Sequence, residues 1–466
     1  MFGFSSKVKI PFMPNDNVTN IGTGANLDTP TKILSIDVSD NDRRRGMMVI
    51  GTTGVGKTRL AEHMIAQDIA RGYNVCLFDP KGDQAIFSKI YELAHKYDRR
   101  DDLILVTPLY PELSALINPM QDYYMVDEPV DHITAAIPPS RDEVFKWIAK
   151  EIAISVVSAE IILAEQEERL PNLNFENIRK SISKDALTAT MDALVTIDTF
   201  ESKRVAGIIN DVLQSGHEHL AKVSMSLRTA LMDLSAGNIG RIIGQADCNR
   251  FSKRVENGKK IIMVVHTGAM LIRDGSKTLG RVLVSMIQKF IGRTYSSLKE
   301  VLETPLAIYI DEAQRVLYDG IETLPAMAGS ANVMTTFFIQ DIAQMSAELG
   351  EDFAKIILNN CNTKVFMRCP DADTSDYVTR HFGTKNVLTG IYSPNQVTTR
   401  EVEQDVIKPY DVLSLQNQEF LMLTYSGRYK GKVTKVLPST KKIEFPEALT
   451  MASVCDDEEQ AAQECA

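Results

Sequence analysis

Cysteine is sparse in this 466-residue chain, and its six copies are scattered. They stand at positions 76, 248, 361, 369, 455 and 465, so no two have the CxxC spacing of a zinc site. That argues against a zinc module and fits reduced thiols in a cytosolic protein. Long apolar runs are missing too. The nearest candidate, Ile152–Ala164, is broken by Glu160 and is short for crossing a bilayer. The opening MFGFSSKVKIPFMPND has no uninterrupted apolar stretch of the kind a secretory signal needs. A cytoplasmic location is the expectation. An excess of positive charge is also lacking, since the formal net charge is −10. A protein that grips nucleic acid over its whole surface is usually basic, which argues against a passive DNA-coating role. A local basic track inside an acidic shell remains compatible with that charge. No internal repeat is visible.

What is present is ordinary globular material, 44% hydrophobic and 24% charged. The length calls for two or more domains. Residues 1–30 are rich in Gly, Asn, Asp, Pro and Thr and read as an irregular arm, followed by a short strand over Lys32–Val38. Then strands alternate with helices. Met47–Ile50 is a buried strand, Arg59–Arg71 has helical spacing, Val75–Asp79 is a strand, Ile86–His95 a helix and Leu103–Thr107 a strand. This rhythm predicts a mostly parallel sheet with crossovers. It stops near residue 120. Val144–Glu165, Lys184–Val195, Glu201–Leu213 and Leu220–Leu234 all read as helices. It resumes with the strand KIIMVV (260–265), a helix over Leu279–Tyr295, and strands at Leu306–Ile310, Met334–Ile339, Lys364–Met367 and Phe420–Leu423. The expected organisation is therefore α/β. An arm covers 1–45, and a nucleotide-binding domain covers 46–125 and 236–435. An all-α domain is inserted at 126–235, and an acidic tail covers 436–466. The ending CDDEEQAAQECA is expected to be disordered.

The chemistry begins at GTTGVGKT, residues 51–58. Gly51, Gly54, Gly56, Lys57 and Thr58 fill the pattern G-x-x-x-x-G-K-[ST], behind a strand and ahead of a helix. Glycines let the backbone curl so that the N–H groups of Gly51, Thr52, Thr53, Gly54, Val55 and Gly56 can face phosphates. The helix start adds its positive dipole end. Lys57 is placed to neutralise the outer phosphates, and the Thr58 hydroxyl to hold Mg²⁺. A second site is needed for the metal, and LAIYIDEAQ (306–314) supplies it. Asp311 emerges from a buried strand to hold the Mg²⁺ water shell. Glu312 follows and can orient and polarise an attacking water. The pair favours hydrolysis over switching. In TTFFIQDIAQ (335–344), Gln340 ends the strand expected beside that of Asp311. It can sense the γ-phosphate, although a plain helix-start residue fits as well. DPKGD (79–83) closes another strand, where ligand crevices gather. Lys81 there fits a phosphate contact, a DNA contact or a simple type I turn.

The order of these motifs, with INPM (117–120), QDIAQMSAELG and ILNNCNTKVFMR (357–368), resembles the conjugative type IV coupling proteins, the TraD/TraG class. It is most similar to the TraD-like factors of integrative conjugative elements. The likeness runs from about residue 40 to about 430. It implies a RecA-like P-loop NTPase core using ATP and Mg²⁺, with the all-α domain at the cytoplasmic end. It implies a homo-hexamer with nucleotide between subunits. It also implies that relaxase-bound, single-stranded or duplex DNA, or effector proteins, are driven toward a secretion channel at the inner face of the membrane. ATP over GTP follows from the resemblance, with no NKxD guanine reader in a matching place.

Two departures stand out. The usual N-terminal transmembrane pair is absent, so the chain reads as a soluble member or as the cytoplasmic part of an anchored one. The stretch MAGSANVMTT (327–336) lacks the arginine that many relatives extend into a neighbour's site. Arg368 is the substitute candidate and Arg380 the reserve, though a surface salt bridge would explain either. Arg43-Arg44-Arg45, Lys253-Arg254 with Lys259-Lys260, and Arg428-Tyr429-Lys430 with Lys432 could track DNA, with Tyr429 stacking a base. A solvated charged face is the more common explanation of each cluster. The tail could dock a basic relaxosome protein or simply solubilise the chain. Two other functions remain open. One is a related motor, such as a channel-assembly or DNA-pumping ATPase. The other is a nucleotide-gated receptor that recruits substrates and barely hydrolyses.

Overall fold

The computed structural model describes residues 17–443, apart from 31, 139–142, 215–216, 245–248, 298–300, 319 and 394–395. The CDDEEQAAQECA ending lies outside the described residues. Among the described residues thirteen strands are formed: β1 (Val18–Asn26), β2 (Leu34–Ser39), β3 (Met47–Ile50), β4 (Asn74–Asp79), β5 (Leu103–Val106), β6 (Ile262–His266), β7 (Leu306–Ile310), β8 (Val333–Ile339), β9 (Thr363–Phe366), β10 (Thr384–Ser393), β11 (Gln396–Asp405), β12 (Glu419–Thr424) and β13 (Gly427–Val433). Eleven of them make one sheet in the order β2-β1-β13-β12-β9-β3-β8-β7-β4-β6-β5. From β9 to β5 every pairing is parallel, and from β9 through β12, β13 and β1 to β2 every pairing is antiparallel.

The parallel part has both faces covered, which is why its strands read as unbroken apolar runs. Alternation divides each run between two cores. Met48, Ile50, Phe78, Val265, Ile308 and Phe337 turn to one face. Met47, Val49, Leu77, Val264, Tyr309 and Phe338 turn to the other. The second face is covered by the helices Lys57–Ala70 and Gln84–Lys96. The first is covered by Arg273–Ser296, a helix that also packs against Asp127–Ala136. Between Asp127 and Ser235 the elements described are helices: Asp127–Ala136, Glu143–Gln166, Phe175–Ser181, Lys184–Val195, Phe200–Gln214 and His217–Ser235. Local chemistry starts some of them, as when Ser183 accepts from the Ala186 N–H at 3.2 Å. Their apolar sides run without a break into the sheet's first core.

The expectation of an irregular arm fails over Val18–Asn26, which is strand β1, paired with β2 and β13. Two close backbone approaches explain the glycines there. A Cβ on Gly22 or Gly24 would lie 2.1 Å from a carbonyl of β13. The same glycines make the segment read as loop. Strands β10 and β11, ten residues each, pair only with each other among the described strands, as a hairpin. No helix among the described residues is long and apolar enough to cross a membrane.

Candidate functional site

Topology assembles the site. Strand β8 stands between β3 and β7, so Gln340 leaves the sheet between the GTTGVGKT loop and the Asp311-Glu312 pair. All three emerge at the carboxyl ends of parallel strands, with β4 and Asp79 one place further on. Ligand crevices of open α/β sheets gather there.

The loop is held from behind. Gly51 N–H donates to the Ile339 carbonyl and Thr52 N–H to that of Arg368. The Val55 carbonyl accepts from Gln418 N–H at 2.8 Å. Gly54 and Gly56 have φ of +79° and +112°, angles at which a side chain is strained. A Cβ on Gly56 would also lie 3.0 Å from the Gln418 side chain. Among the described residues, the N–H groups of Thr53, Gly54, Val55 and Gly56 make no hydrogen bond within the protein. Four uncommitted donors ahead of a helix start suit a phosphate. Lys57 is buried and bonds to the carbonyls of Gly51 and Thr52 at 2.5 and 3.2 Å. Burial pushes its pKa down, while Glu312 and Asp311 pull it back up.

Thr58, Asp79, Lys81, Asp83 and Asp311 line one narrow cleft. Burial raises the Asp311 pKa, partly offset by Lys81. A desolvated carboxylate and a hydroxyl on one cleft are hard oxygen donors of the kind Mg²⁺ takes. Asp79 accepts from the N–H groups of Lys81 and Asp83 at 2.9 and 2.6 Å, fixing the DPKGD turn. Burial pushes its carboxyl up too.

Glu312 is buried at φ 48°, in the left-handed region. Its carboxylate accepts from Gln340 Nε2 on both oxygens, at 3.0 and 2.9 Å. Gln314 Nε2 adds a bond at 2.7 Å, and Lys81 Nζ stands 2.9 Å from Oε1. Burial alone would raise its pKa, but Lys81, Gln340 and Gln314 together hold it below the ordinary range. Gln344 closes the cluster, donating to Gln340 Oε1 at 3.2 Å and accepting from Gln314 at 3.3 Å.

Most residues picked out by motif meet at this one place. Gly51–Thr58, Asp311, Glu312 and Gln340 come together around one crevice. Arg368 is exposed, and its carbonyl anchors it at the loop of its own chain. Arg380 is exposed on the helix Ala372–Phe382. Gln314, Gln344 and Gln418 carry no signal of comparable strength in the sequence. The first two are legible only as the last letters of IDEAQ and QDIAQ, and Gln418 belongs to no motif at all.

The basic clusters fare differently. Arg43 is fully buried, bonding Asp68 bidentately at 2.7 Å, Thr19 at 2.8 Å and the Tyr309 hydroxyl at 2.8 Å. It is therefore a core residue, and a DNA contact through it is ruled out. Arg44 bonds Asn332, while Arg45 is exposed over the Tyr425 ring. Arg254 pairs with Asp102 at 3.0 Å, and Arg428 pairs with Asp28. Lys253, Lys259, Lys260 and Lys432 are exposed.

Residues 30–169 match the family model for the type IV secretion-system coupling protein DNA-binding domain. Residues 305–417 match the model for the TraM recognition site of TraD and TraG. The type 4 coupling protein DotL of Legionella pneumophila is 22% identical over 82% of this chain. This chain belongs to the type IV coupling proteins. It spans 57% of the length of DotL. Solved coupling proteins share its fold. An unbound form of the bacterial conjugative coupling protein TrwBdeltaN70 superposes with a TM-score of 0.64 at 16% identity, over 87% of this chain and 89% of that one. Plasmid coupling protein TrwB in complex with ADP and Mg²⁺ gives 0.62 at 16% identity, over 90% and 91%. TrwB has also been solved with the analogues GDPNP and ADPNP. VirB4 of Thermoanaerobacter pseudethanolicus has the same core at a TM-score of 0.51 and 12% identity, over 91% and 98%.

Proposed function

We propose that this coupling protein hydrolyses ATP. We further propose that it links a relaxase–DNA substrate to a type IV secretion channel and drives DNA, or protein, through it. The observation that carries the reading is the placing of Gln340 between the phosphate loop and Glu312, bonded to both carboxylate oxygens. In this reading the loop N–H groups and Lys57 bind the phosphates. Thr58 and Asp311 would hold Mg²⁺, which supplies charge neutralisation at the outer phosphates when bound. Glu312 takes the proton of the attacking water, and Gln340 orients Glu312 and passes loss of the phosphate to the helix Ile342–Leu349. Family membership supports the coupling role, and the nucleotide complexes of TrwB support the ligand.

The active form is proposed as a homo-hexamer on the cytoplasmic side of the membrane. Arg368, exposed with its backbone anchored beside the loop, would reach a neighbouring site, with Arg380 as the reserve. The deciding experiment is ATP turnover with and without single-stranded DNA, at low salt, where phosphate contacts are strongest. Lys57→Ala is the blank. Stimulation by DNA that the variant abolishes supports the reading. Good nucleotide binding with no turnover points instead to a nucleotide-gated receptor.

A further inference from the structure

Lys81 has a task in this site that phosphate binding leaves unexplained. Its ammonium stands 2.9 Å from Glu312 Oε1 and 3.7 Å from Asp311 Oδ2. A carboxylate offers about four acceptor positions. Gln340 engages both oxygens of Glu312, Gln314 a third position and Lys81 a fourth. With all of them engaged, no lone pair is left for a proton of water. Glu312 in this arrangement is not a working base.

One of those partners has to leave, and the mounting of Lys81 singles it out. The Lys81 side chain is 47% exposed, whereas Gln314 is buried. The backbone beneath Lys81 is pinned, since Asp79 accepts from Lys81 N–H and Asp83 N–H. Gly82, at φ +70°, turns the chain there. The turn therefore stays put while the side chain can swing. The other cation of the site, Lys57, is held by the Gly51 and Thr52 carbonyls instead.

We propose that Lys81 is a latch, a positioning residue that keeps Glu312 idle until a metal-bound nucleotide reaches the cleft. The two carboxylates share one ammonium, so positive charge brought to Asp311 repels Lys81 from both. Glu312 then regains an acceptor position facing the crevice. Hydrolysis is thereby tied to the arrival of metal with nucleotide. The proposal rests on the hydrolase reading above and names a control on it.

The test uses the full chain and a fluorescent ADP analogue, with Mg²⁺ titrated. Thermodynamic linkage requires that the latch oppose metal binding. Lys81→Met should therefore lower the Mg²⁺ concentration for half-maximal binding by about fivefold, the scale of a partly exposed ion pair. Nucleotide affinity in EDTA should stay the same, and turnover without DNA should rise. Lys81→Arg should behave as wild type. Lys81→Gln repeats the comparison if the methionine variant does not fold. Weaker nucleotide binding by Lys81→Met both with and without Mg²⁺ would mark Lys81 as a plain phosphate ligand and overturn the latch. An unchanged Mg²⁺ dependence would overturn it too. A wild type that binds no nucleotide sinks the hydrolase reading and the latch together, whereas binding with no variant effect sinks the latch alone.

Discussion

Glu312 occupies a backbone conformation that costs a non-glycine residue roughly 1–3 kcal/mol, a strain that clusters at functional sites. The four bonds to its carboxylate explain how it is held there. Glu312→Gln keeps the shape and removes the base. Turnover should fall by about 100-fold or more while nucleotide affinity stays within about twofold. Equal loss of binding in a filter assay would remove Glu312 from the chemistry. Asp68 makes a sharper case for stability. It is wholly buried between Arg43, Arg71 and Tyr309, and Asp68→Ala would strand two buried guanidinium groups. The expected loss is about 3–5 kcal/mol in urea unfolding. Burial works against its charge, but the two arginines hold its pKa below the ordinary value. Its contribution is therefore present above about pH 4, the unfolded value, and fades only as pH falls below that. His132 also costs stability as pH falls, but over a higher range. Burial, with Lys289 and Arg293 nearby, pushes its pKa down to about 3, and Ser285 Oγ meets Nδ1 at 2.9 Å. An unfolded chain takes up this proton near pH 6.5 and the folded one refuses it, so stability drops as pH falls from about 6.5 toward 3. His132→Gln should flatten the melting temperature against pH between about 6.5 and 4, and an unchanged slope would assign the acid sensitivity elsewhere.

At the scale of elements, the phosphate loop depends on a partner distant in sequence. Gly56 is both left-handed and pressed against Gln418, at the entry to β12. Gly56→Ala therefore meets strain and a clash together. Nucleotide binding should be lost in calorimetry, with a stability cost of about 1–3 kcal/mol. This coupling was invisible in the sequence, because nothing in NQEF marks a residue that braces a loop more than 350 positions earlier. The parallel strands were legible for the opposite reason. Burial on both faces makes them continuous apolar runs, and Leu306–Ile310 has the boundaries read from the sequence. The helix Lys184–Val195 was equally legible, with Ser183 as its cap. Strand β1 was not, since Gly22 and Gly24 serve close backbone approach and mimic a loop. The β10–β11 hairpin escaped because TKNVLTGIYS and QVTTREVEQD do not alternate cleanly between apolar and polar residues. Arg43 misled for a related reason. Three arginines in a row look like surface, and only the fold reveals Asp68 beneath one of them.

The whole molecule is joined end to end. Strand β13 lies between β1 and β12, so an N-terminal strand is held by a C-terminal one. A chain stopped at residue 426 loses β13 and with it the attachment of β1 and β2. It should aggregate or fail to melt cooperatively, and a cooperative transition would show that the parallel core stands alone. The same order has a consequence in time. Strand β3, which carries the phosphate loop, pairs with β8 and β9 and with no earlier strand. A ribosome adds about 5–20 residues per second, so some 15–60 s separate the emergence of β3 from that of its neighbours. During that interval a fully apolar strand waits without hydrogen-bonding partners. The nascent chain is then most exposed to misassociation, and most in need of a chaperone, at the very segment on which its nucleotide chemistry depends.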